Sequence, residues 1–204
     1  MAPTSPSTAR ASLCAWAETV SATPSGTPRH LPGFSAPAVG FEQPFAMLEA
    51  CHERVLRTLA LLDRLRAHVH QHGADADARQ AARDVLRYFD IAAPLHHQDE
   101  ELHVFPLLLA QAGPEVQALV QRLQQDHLAM TADWAAARVP LRALADAAAA
   151  AFTPEDDAAL DRFAQRYAGH ITAEEGTAYP AAVALLAPAT LVAMEQEMAA
   201  RRGA

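Results

Sequence analysis

The sequence has few cysteines, few aromatic residues and no long apolar run. Its two cysteines, Cys14 and Cys51, cannot form the disulfide framework of a small secreted protein. Aromatic residues make up only 6% of the chain, which favours closely packed helices over stacked sheets. No stretch approaches the roughly 20 uninterrupted apolar residues that a membrane span needs. These absences predict a cytoplasmic protein with free thiols that does not enter a membrane.

Basic residues are also scarce. Lysine and arginine number 16 against 24 acidic residues, so the formal net charge is −8. Nucleic acids and anionic membranes bind basic surfaces, and we expect neither as a partner. A chain of 204 residues is long enough to bury a core without a disulfide or a structural metal. The sequence is compatible with a homodimer.

The N-terminal segment differs in composition from the rest of the chain. It is rich in proline, serine, threonine and alanine and shows no sustained periodicity. Such a segment cannot bury enough apolar surface to offset the entropy of ordering it. We expect an irregular N-terminal tail over residues 1–40, in which residues 11–20 could form a short helix, and a folded domain over residues 41–204.

Apolar residues recur at helical spacing through the rest of the chain, and no segment indicates a strand. Asp75 or Asp77 is expected to cap the second helix, and Thr153 the fourth. Pro94 and Pro106 should kink or end the second helix, because proline lacks a backbone donor and clashes with the preceding turn. The predicted helices run over about residues 45–70, 75–107, 116–151, 153–178 and 189–201. We therefore predict an all-α fold.

One sequence motif occurs twice. Residues 96–106 and 170–180 both read His-x-x-x-Glu-Glu-x-x-x-aromatic-Pro, and each matching pair is 74 residues apart. His52 and His127, which are 75 residues apart, occupy core positions of the first and third predicted helices. The chain therefore looks like a duplicated helical hairpin, whose two-fold pseudosymmetry would direct four core histidines to one point.

Histidine and glutamate four residues apart lie about 5 to 6 Å apart on one helix face, so both can contact an ion between helices. A single core histidine is more often a structural residue, but buried polar groups in this number cost several kcal/mol each unless they are paired or bound to metal. Four imidazoles and two carboxylates suit iron or manganese better than zinc. We predict a two-metal site whose candidate ligands are His52, His96, Glu100, His127, His170 and Glu174.

This pattern resembles that of the hemerythrin-like proteins with the HHE cation-binding domain, over about residues 41–186. Ferritin-like carboxylate bundles differ, because they place glutamate first and histidine three residues later. The resemblance implies an up-down-up-down four-helix bundle with a short C-terminal helix. It also implies a non-haem di-iron centre with an oxo or hydroxo bridge, in which Glu100 and Glu174 bridge the two irons. Manganese is the alternative metal.

Thr131 stands where the oxygen-carrying hemerythrins place a second histidine in the third helix. The donor set is similar instead to the branch concerned with nitric-oxide stress, repair of damaged iron centres and iron sensing. The resemblance therefore implies a protein that binds or reacts with O2, NO or peroxide in oxidative or nitrosative stress or in iron handling. Two alternatives are an enzyme-like role, in NO or peroxide reduction or in repair of iron centres, and a metal-free interaction or regulatory protein.

The neighbours of the predicted ligands have other expected roles. Glu101 and Glu175 are expected beside the site as hydrogen-bond acceptors or solvated charges. His97 is the rival of His96 as a ligand, and only the repeat favours His96. Cys51 is expected to fill core space.

Overall fold

The computed structural model describes residues 40–203, and all regular structure among them is helical. Five helices follow one another: α1 Pro44–His72, α2 residues 76–111, α3 Pro114–Ala145, α4 Pro154–Leu185 and α5 Pro188–Arg201. The absence of strands from residues 40–203 confirms the predicted all-α class. Residues 1–39, which include the candidate helix over 11–20, lie outside the described part of the chain.

Two of the five helices change their hydrogen-bond register along their length. Both α2 and α4 contain π-helical turns, in which a backbone N–H bonds to the carbonyl five residues back instead of four. The α-helical parts are Ala76–Arg87, Ala93–Asp99 and Phe105–Gln111 in α2, and Pro154–Gln165, Tyr167–Ala173 and Tyr179–Leu185 in α4. The π-helical turns are Tyr88–Ala92, Glu100–Val104 and Glu174–Ala178.

Each π-helical turn ends just before a proline, at Pro94, Pro106 or Pro180. Pro94 and Pro106 were predicted to kink or end the second helix, and they do not end it, because α2 continues to Gln111. A proline ring normally clashes with the carbonyl four residues back. The wider turn displaces that carbonyl, so the helix continues through each proline with a local irregularity.

The predicted helix starts are confirmed by side-chain caps. Asp75 accepts a hydrogen bond from a backbone N–H in the first turn of α2, and Thr153 forms a capping box at the start of α4. The predicted end of the third helix is wrong, since α3 ends at Ala145. Two residues later Ala147 takes a left-handed φ of 59°, a conformation that terminates helices.

Two pairs of neighbouring helices run in opposite directions. Arg66, late in α1, donates through Nε to Asp157 at the start of α4, 2.9 Å away. Arg83, early in α2, donates to the carbonyl of Ala145 at the end of α3, 3.1 Å away. Both contacts join the end of one helix to the start of its neighbour.

The bundle has two apolar clusters with a polar layer between them. One cluster includes Leu65 and Phe163, and the other includes Leu48 and Leu108. Along each of α1 to α4, buried histidine or glutamate separates the residues of one cluster from those of the other. The layer therefore lies inside the bundle, shielded from water at both ends.

Helix α5 closes the bundle beside the second cluster, to which it contributes Met194 and Met198. It is also held by Asp99 of α2, a fully buried carboxylate that accepts hydrogen bonds from both Nη atoms of Arg202, at 3.1 and 2.5 Å. The sequence did not predict this contact. Within residues 40–203 no single helix has the length and apolarity to cross a membrane; α4 and α5 meet that test only as a pair, which is bent by 119°.

Candidate metal centre

The structure brings the six predicted site residues together in the polar layer. Each is at most 5% exposed, and both glutamates are fully buried. The six are His52 on α1, His96 and Glu100 on α2, His127 on α3, and His170 and Glu174 on α4. Helices that are distant in sequence therefore present their nitrogen and oxygen donors to one buried space.

The donors form two adjacent groups. In the first group, one atom from each residue lies within 4.8 Å of the others, and its members are His52, His96, Glu100 and Glu174. The second group, under the same limit, consists of His97, His127 and His170. His97 was predicted only as the rival of His96 and is not among the six predicted ligands. The repeat could not indicate it, because Ile171 occupies the equivalent position in the second copy.

Glu100 belongs to the first group and also faces the second. Its Oε1 is 3.6 Å from Nε2 of His96, and its Oε2 is 3.4 Å from Nε2 of His127. The hydroxyl of Tyr179 donates a hydrogen bond to Oε1, over 2.5 Å. One carboxylate therefore offers an oxygen to each group of histidines.

Glu174, on α4, occupies the equivalent position to Glu100. Its Oε2 is 3.2 Å from Nε2 of His52, and its Oε1 is 2.8 Å from Nε2 of His170. The two carboxylates therefore face each other across the layer, and each spans the first and second groups. This arrangement follows the two-fold repeat of the motif.

Several buried polar atoms in the layer have no hydrogen-bond partner in a suitable geometry. They are Oε2 of Glu100, both carboxylate oxygens of Glu174, and Nδ1 of His96 and of His170. Buried polar atoms normally have a partner, and a buried carboxylate without one is costly. A cation placed among the carboxylate oxygens and the Nε2 atoms of the histidines would satisfy the three oxygens, whereas Nδ1 of His96 and of His170 lies on the side of the ring away from the carboxylates. The donor set therefore fits a metal.

Burial sets the protonation of these groups. It raises the pKa of Glu100 well above its ordinary value, and the neighbouring charge of Glu174 adds to that effect. Burial would also raise the pKa of Glu174, but the three surrounding imidazoles hold it well below its ordinary value. Burial lowers the pKa of His96 to about 3, so this imidazole is neutral at physiological pH. Neutral imidazole is the form that binds metal.

Glu101 and Glu175 lie behind two of the histidines. Oε1 of Glu175 is hydrogen-bonded to Nδ1 of His52 at 2.9 Å, and Oε1 of Glu101 to Nδ1 of His127 at 3.0 Å. Gln124 donates a further hydrogen bond to Glu101 over 2.9 Å. Each glutamate thus orients an imidazole whose Nε2 faces the layer. This confirms their predicted role as hydrogen-bond acceptors beside the site.

The aromatic residues of the two motif copies each stack on one of these histidines. Phe105 lies over His127, with ring centroids 5.4 Å apart. Tyr179 lies over His52 at 5.6 Å, with the ring planes 7° apart. The two copies differ in the tyrosine hydroxyl, which contacts Glu100. The motif contains this aromatic position, but its spacing alone does not indicate what the ring contacts.

A cavity of about 680 Å³ opens beside the second group of histidines. His97 and His127 line its inner end, and Phe89, Trp134 and Tyr167 line its walls. Most of this lining is apolar, and the cavity is large enough for several small molecules. It gives the second group a route toward solvent.

Comparison with known proteins agrees with this geometry. The family model described as "Hemerythrin HHE cation binding domain" matches residues 43–182, a range that contains all seven residues of the two groups. An uncharacterised protein of Haemophilus influenzae is 33% identical over 162 residues, which cover 79% of this chain and 91% of that protein. The chain belongs to the hemerythrin HHE cation-binding domain family.

Proposed function

We propose that this protein holds two non-haem iron ions, bridged by Glu100 and Glu174 and by an oxo or hydroxo group, and bound by His52, His96, His127 and His170. One observation carries the proposal. Both oxygens of each buried carboxylate face imidazoles, and the two oxygens face different groups. A carboxylate that served one ion would not need its second oxygen directed at another pair of histidines. Manganese is the alternative metal, since the same donors accept it.

The protein's own residues define what such a centre does. Two iron ions supply Lewis acidity and a redox couple when they are bound. The two apolar clusters exclude bulk water from the layer, while Glu101 and Glu175 keep the Nε2 atoms of two histidines directed inward. The cavity beside His127 would supply a path by which a small molecule reaches such a centre.

We assign to the centre the binding or reaction of a small ligand, O2, NO or peroxide, in oxidative or nitrosative stress or in iron handling. A largely apolar entrance favours small neutral molecules, because a charged substrate would lose its hydration on entry. The largely apolar lining of the cavity supports the same class of ligand.

Tyr179 favours a second candidate, an enzyme-like reduction of NO or peroxide. Its hydroxyl lies 3.3 Å from Nε2 of His52 and inside the layer, where a proton donor serves a reduction. Steady turnover with a reductant would support this enzyme-like role. Tight binding in a fixed ratio without turnover would support the binding role.

Metal analysis of the purified protein tests the proposal. We expect about two irons per chain and an oxo-bridge absorption that dithionite bleaches. The double variant Glu100→Gln, Glu174→Gln should lose the metal, because amides replace the bridging carboxylates. Glu53→Gln is the matched control, since Glu53 is exposed on α1 and pairs only with Arg57 among the described residues. A single zinc, no metal, or full iron retention in the double variant would overturn the proposal.

A further inference from the structure

The cavity lined mainly by α2 and α3 is much larger than O2, NO or hydrogen peroxide requires. Its volume is about 680 Å³, whereas one water molecule occupies only about 30 Å³ in the liquid. Sites for organic molecules typically have volumes of about 300 to 1,000 Å³ and aromatic walls. Here the walls are formed by Phe89, Trp134 and Tyr167, and most of the lining is apolar. The cavity therefore has the size and the surface of a site for an organic ligand.

The cavity lies where the first copy of the repeat departs from the second. At the offset of 74 residues, Ala93 corresponds to Tyr167 and His97 corresponds to Ile171. Ala93 lacks the ring that Tyr167 carries, which leaves space on the α2 side of the cavity. His97 places a polar ring where the second copy has a buried aliphatic side chain. One difference provides room, the other provides a hydrogen-bonding group, and both residues line the same cavity.

His97 has a ring N–H available to a ligand in this cavity. Its ring is stacked on that of His127, with centroids 4.0 Å apart and planes 12° apart. Stacking occupies the face of the imidazole, whereas its N–H lies in the ring plane and remains free. Among the described residues His97 makes no hydrogen bond, although polar groups away from bulk water normally have a partner. An oxygen atom of a ligand at the inner end of the cavity would be that partner.

We propose that the cavity binds an organic hydroperoxide, whose apolar body lies between the aromatic walls and whose hydroperoxide group accepts a hydrogen bond from His97. This inference rests on the proposed function and narrows its class of ligand. Of O2, NO and peroxide, only peroxide can carry an organic group that fills the cavity. Hydrogen peroxide would lose its hydration along the apolar lining, whereas burial of an alkyl or aryl group is favourable. The hydroperoxide group then lies beside His127, at the edge of the polar layer.

Calorimetric titration of the oxidised protein as purified tests the proposal, with cumene hydroperoxide as the probe. An oxidised centre cannot reduce the probe, and binding to the cavity is measured whether or not metal is present. Wild type should bind the probe saturably in a one-to-one ratio. Cumene, which lacks the hydroperoxide group, should bind about three- to tenfold more weakly, the effect of losing one hydrogen bond. Hydrogen peroxide at the same concentrations should not compete with the probe.

Two variants separate the polar group from the space. His97→Phe keeps a ring but removes its N–H, so it should bind cumene hydroperoxide about three- to tenfold more weakly and cumene as wild type does. His72→Phe, at an exposed histidine of α1, is its control and should bind both molecules as wild type does. Ala93→Leu occupies part of the cavity and should weaken the binding of both molecules. Ala110→Leu, at an exposed position of α2 outside the cavity, should weaken neither.

Three results would overturn the inference: no saturable binding of the probe to wild type, equal affinities of wild type for cumene hydroperoxide and cumene, or wild-type affinity for the probe in His97→Phe. The last result decides the question even if Ala93→Leu does not fold. Metal analysis keeps this test separate from that of the proposed centre. About two irons per chain without binding of the probe would overturn only the assignment to organic hydroperoxides. Binding of the probe to protein without metal would support the cavity site and overturn the centre.

Discussion

Nδ1 of His52 is hydrogen-bonded to Oε1 of Glu175 at 2.9 Å, while Nε2 of the same ring points into the buried layer. An acceptor at Nδ1 favours the tautomer with its proton on that atom, in which the lone pair of Nε2 is available to a metal. Glu101 acts on His127 in the same way, so both copies of the motif use their second glutamate for this purpose.

Replacing Glu175 by glutamine should weaken metal binding by about 10- to 100-fold, as loss of such a partner typically does. The fold should survive, because the side chain of Glu175 is 42% exposed. Competition with a chelator measures the affinity, and Glu53→Gln serves as the control. Equal affinities for the Glu175 variant and wild type would show that the hydrogen bond does not tune the site.

Removal of metal should lower the stability of the bundle. Without a cation, the buried carboxylates of Glu100 and Glu174 remain close together among imidazoles. A metal present at a thousand times its dissociation constant adds about 4 kcal/mol to the free energy of unfolding. Calorimetry with and without metal measures this shift, and the variant with glutamine at both positions should show none. A melting temperature of wild type that does not respond to metal would contradict the prediction.

Tyr179→Phe removes the hydroxyl that donates to Glu100 and copies Phe105 of the first motif. In metal-free protein the variant should lose about 1.5 to 3 kcal/mol of unfolding free energy, because a buried carboxyl group loses a hydrogen bond. In loaded protein the loss should be smaller, since the metal also binds that carboxylate. Urea unfolding of the metal-free and the metal-loaded protein measures the two losses of unfolding free energy. Equal losses would contradict the expectation that Glu100 both accepts the hydrogen bond of Tyr179 and binds the metal.

Asp99→Asn tests the attachment of α5. The carboxylate is fully buried, and Arg201 and Arg202 both contact it, with Nη1 of Arg201 3.0 Å away. We expect a loss of about 3 kcal/mol, the lower end for a broken buried pair, because both arginines are partly exposed. Asp63→Asn is the control for urea unfolding, because Asp63 is 84% exposed and lies 3.8 Å from Arg66. A loss as small as that of the control would show that the apolar contacts of α5 are sufficient to attach it to the bundle.

Glu197 makes the stability of α5 depend on pH. Its hydrogen bond with Arg201, together with that from His103, lowers the pKa of Glu197 from 4.5 to about 2. A lowered pKa in the folded state stabilises above pH 4.5, and that contribution is lost as pH falls toward 2. The side chain is 41% exposed, so we expect only about 0.5 to 1 kcal/mol.

The measurement is the difference in unfolding free energy between wild type and Glu197→Gln at several pH values. The difference should be constant near neutral pH and shrink between pH 4.5 and 2. If it stayed constant through that window, the ion pair would not be its source.

The sequence by itself determined the helical class, the helix start at Thr153, a second start at Asp75 or Asp77, and the repeated motif. It also indicated the six buried residues that come together, because the apolar period and the spacing of a repeat are properties of one chain segment at a time. Whether the second helix ends or continues at Pro94 and Pro106 could not be predicted in this way, because either a helix end or a π-helical turn accommodates a proline.

Only the tertiary structure decided what His97, Asp99 and Tyr179 contact. His97 has no counterpart in the repeat, and its stacking on His127 depends on how α2 faces α3. Asp99 meets its two arginines only because α5 folds back beside α2, and the hydroxyl of Tyr179 reaches Glu100 across the bundle from α4. Contacts between helices distant in sequence depend on their relative rotation and position, which packing determines and local spacing does not.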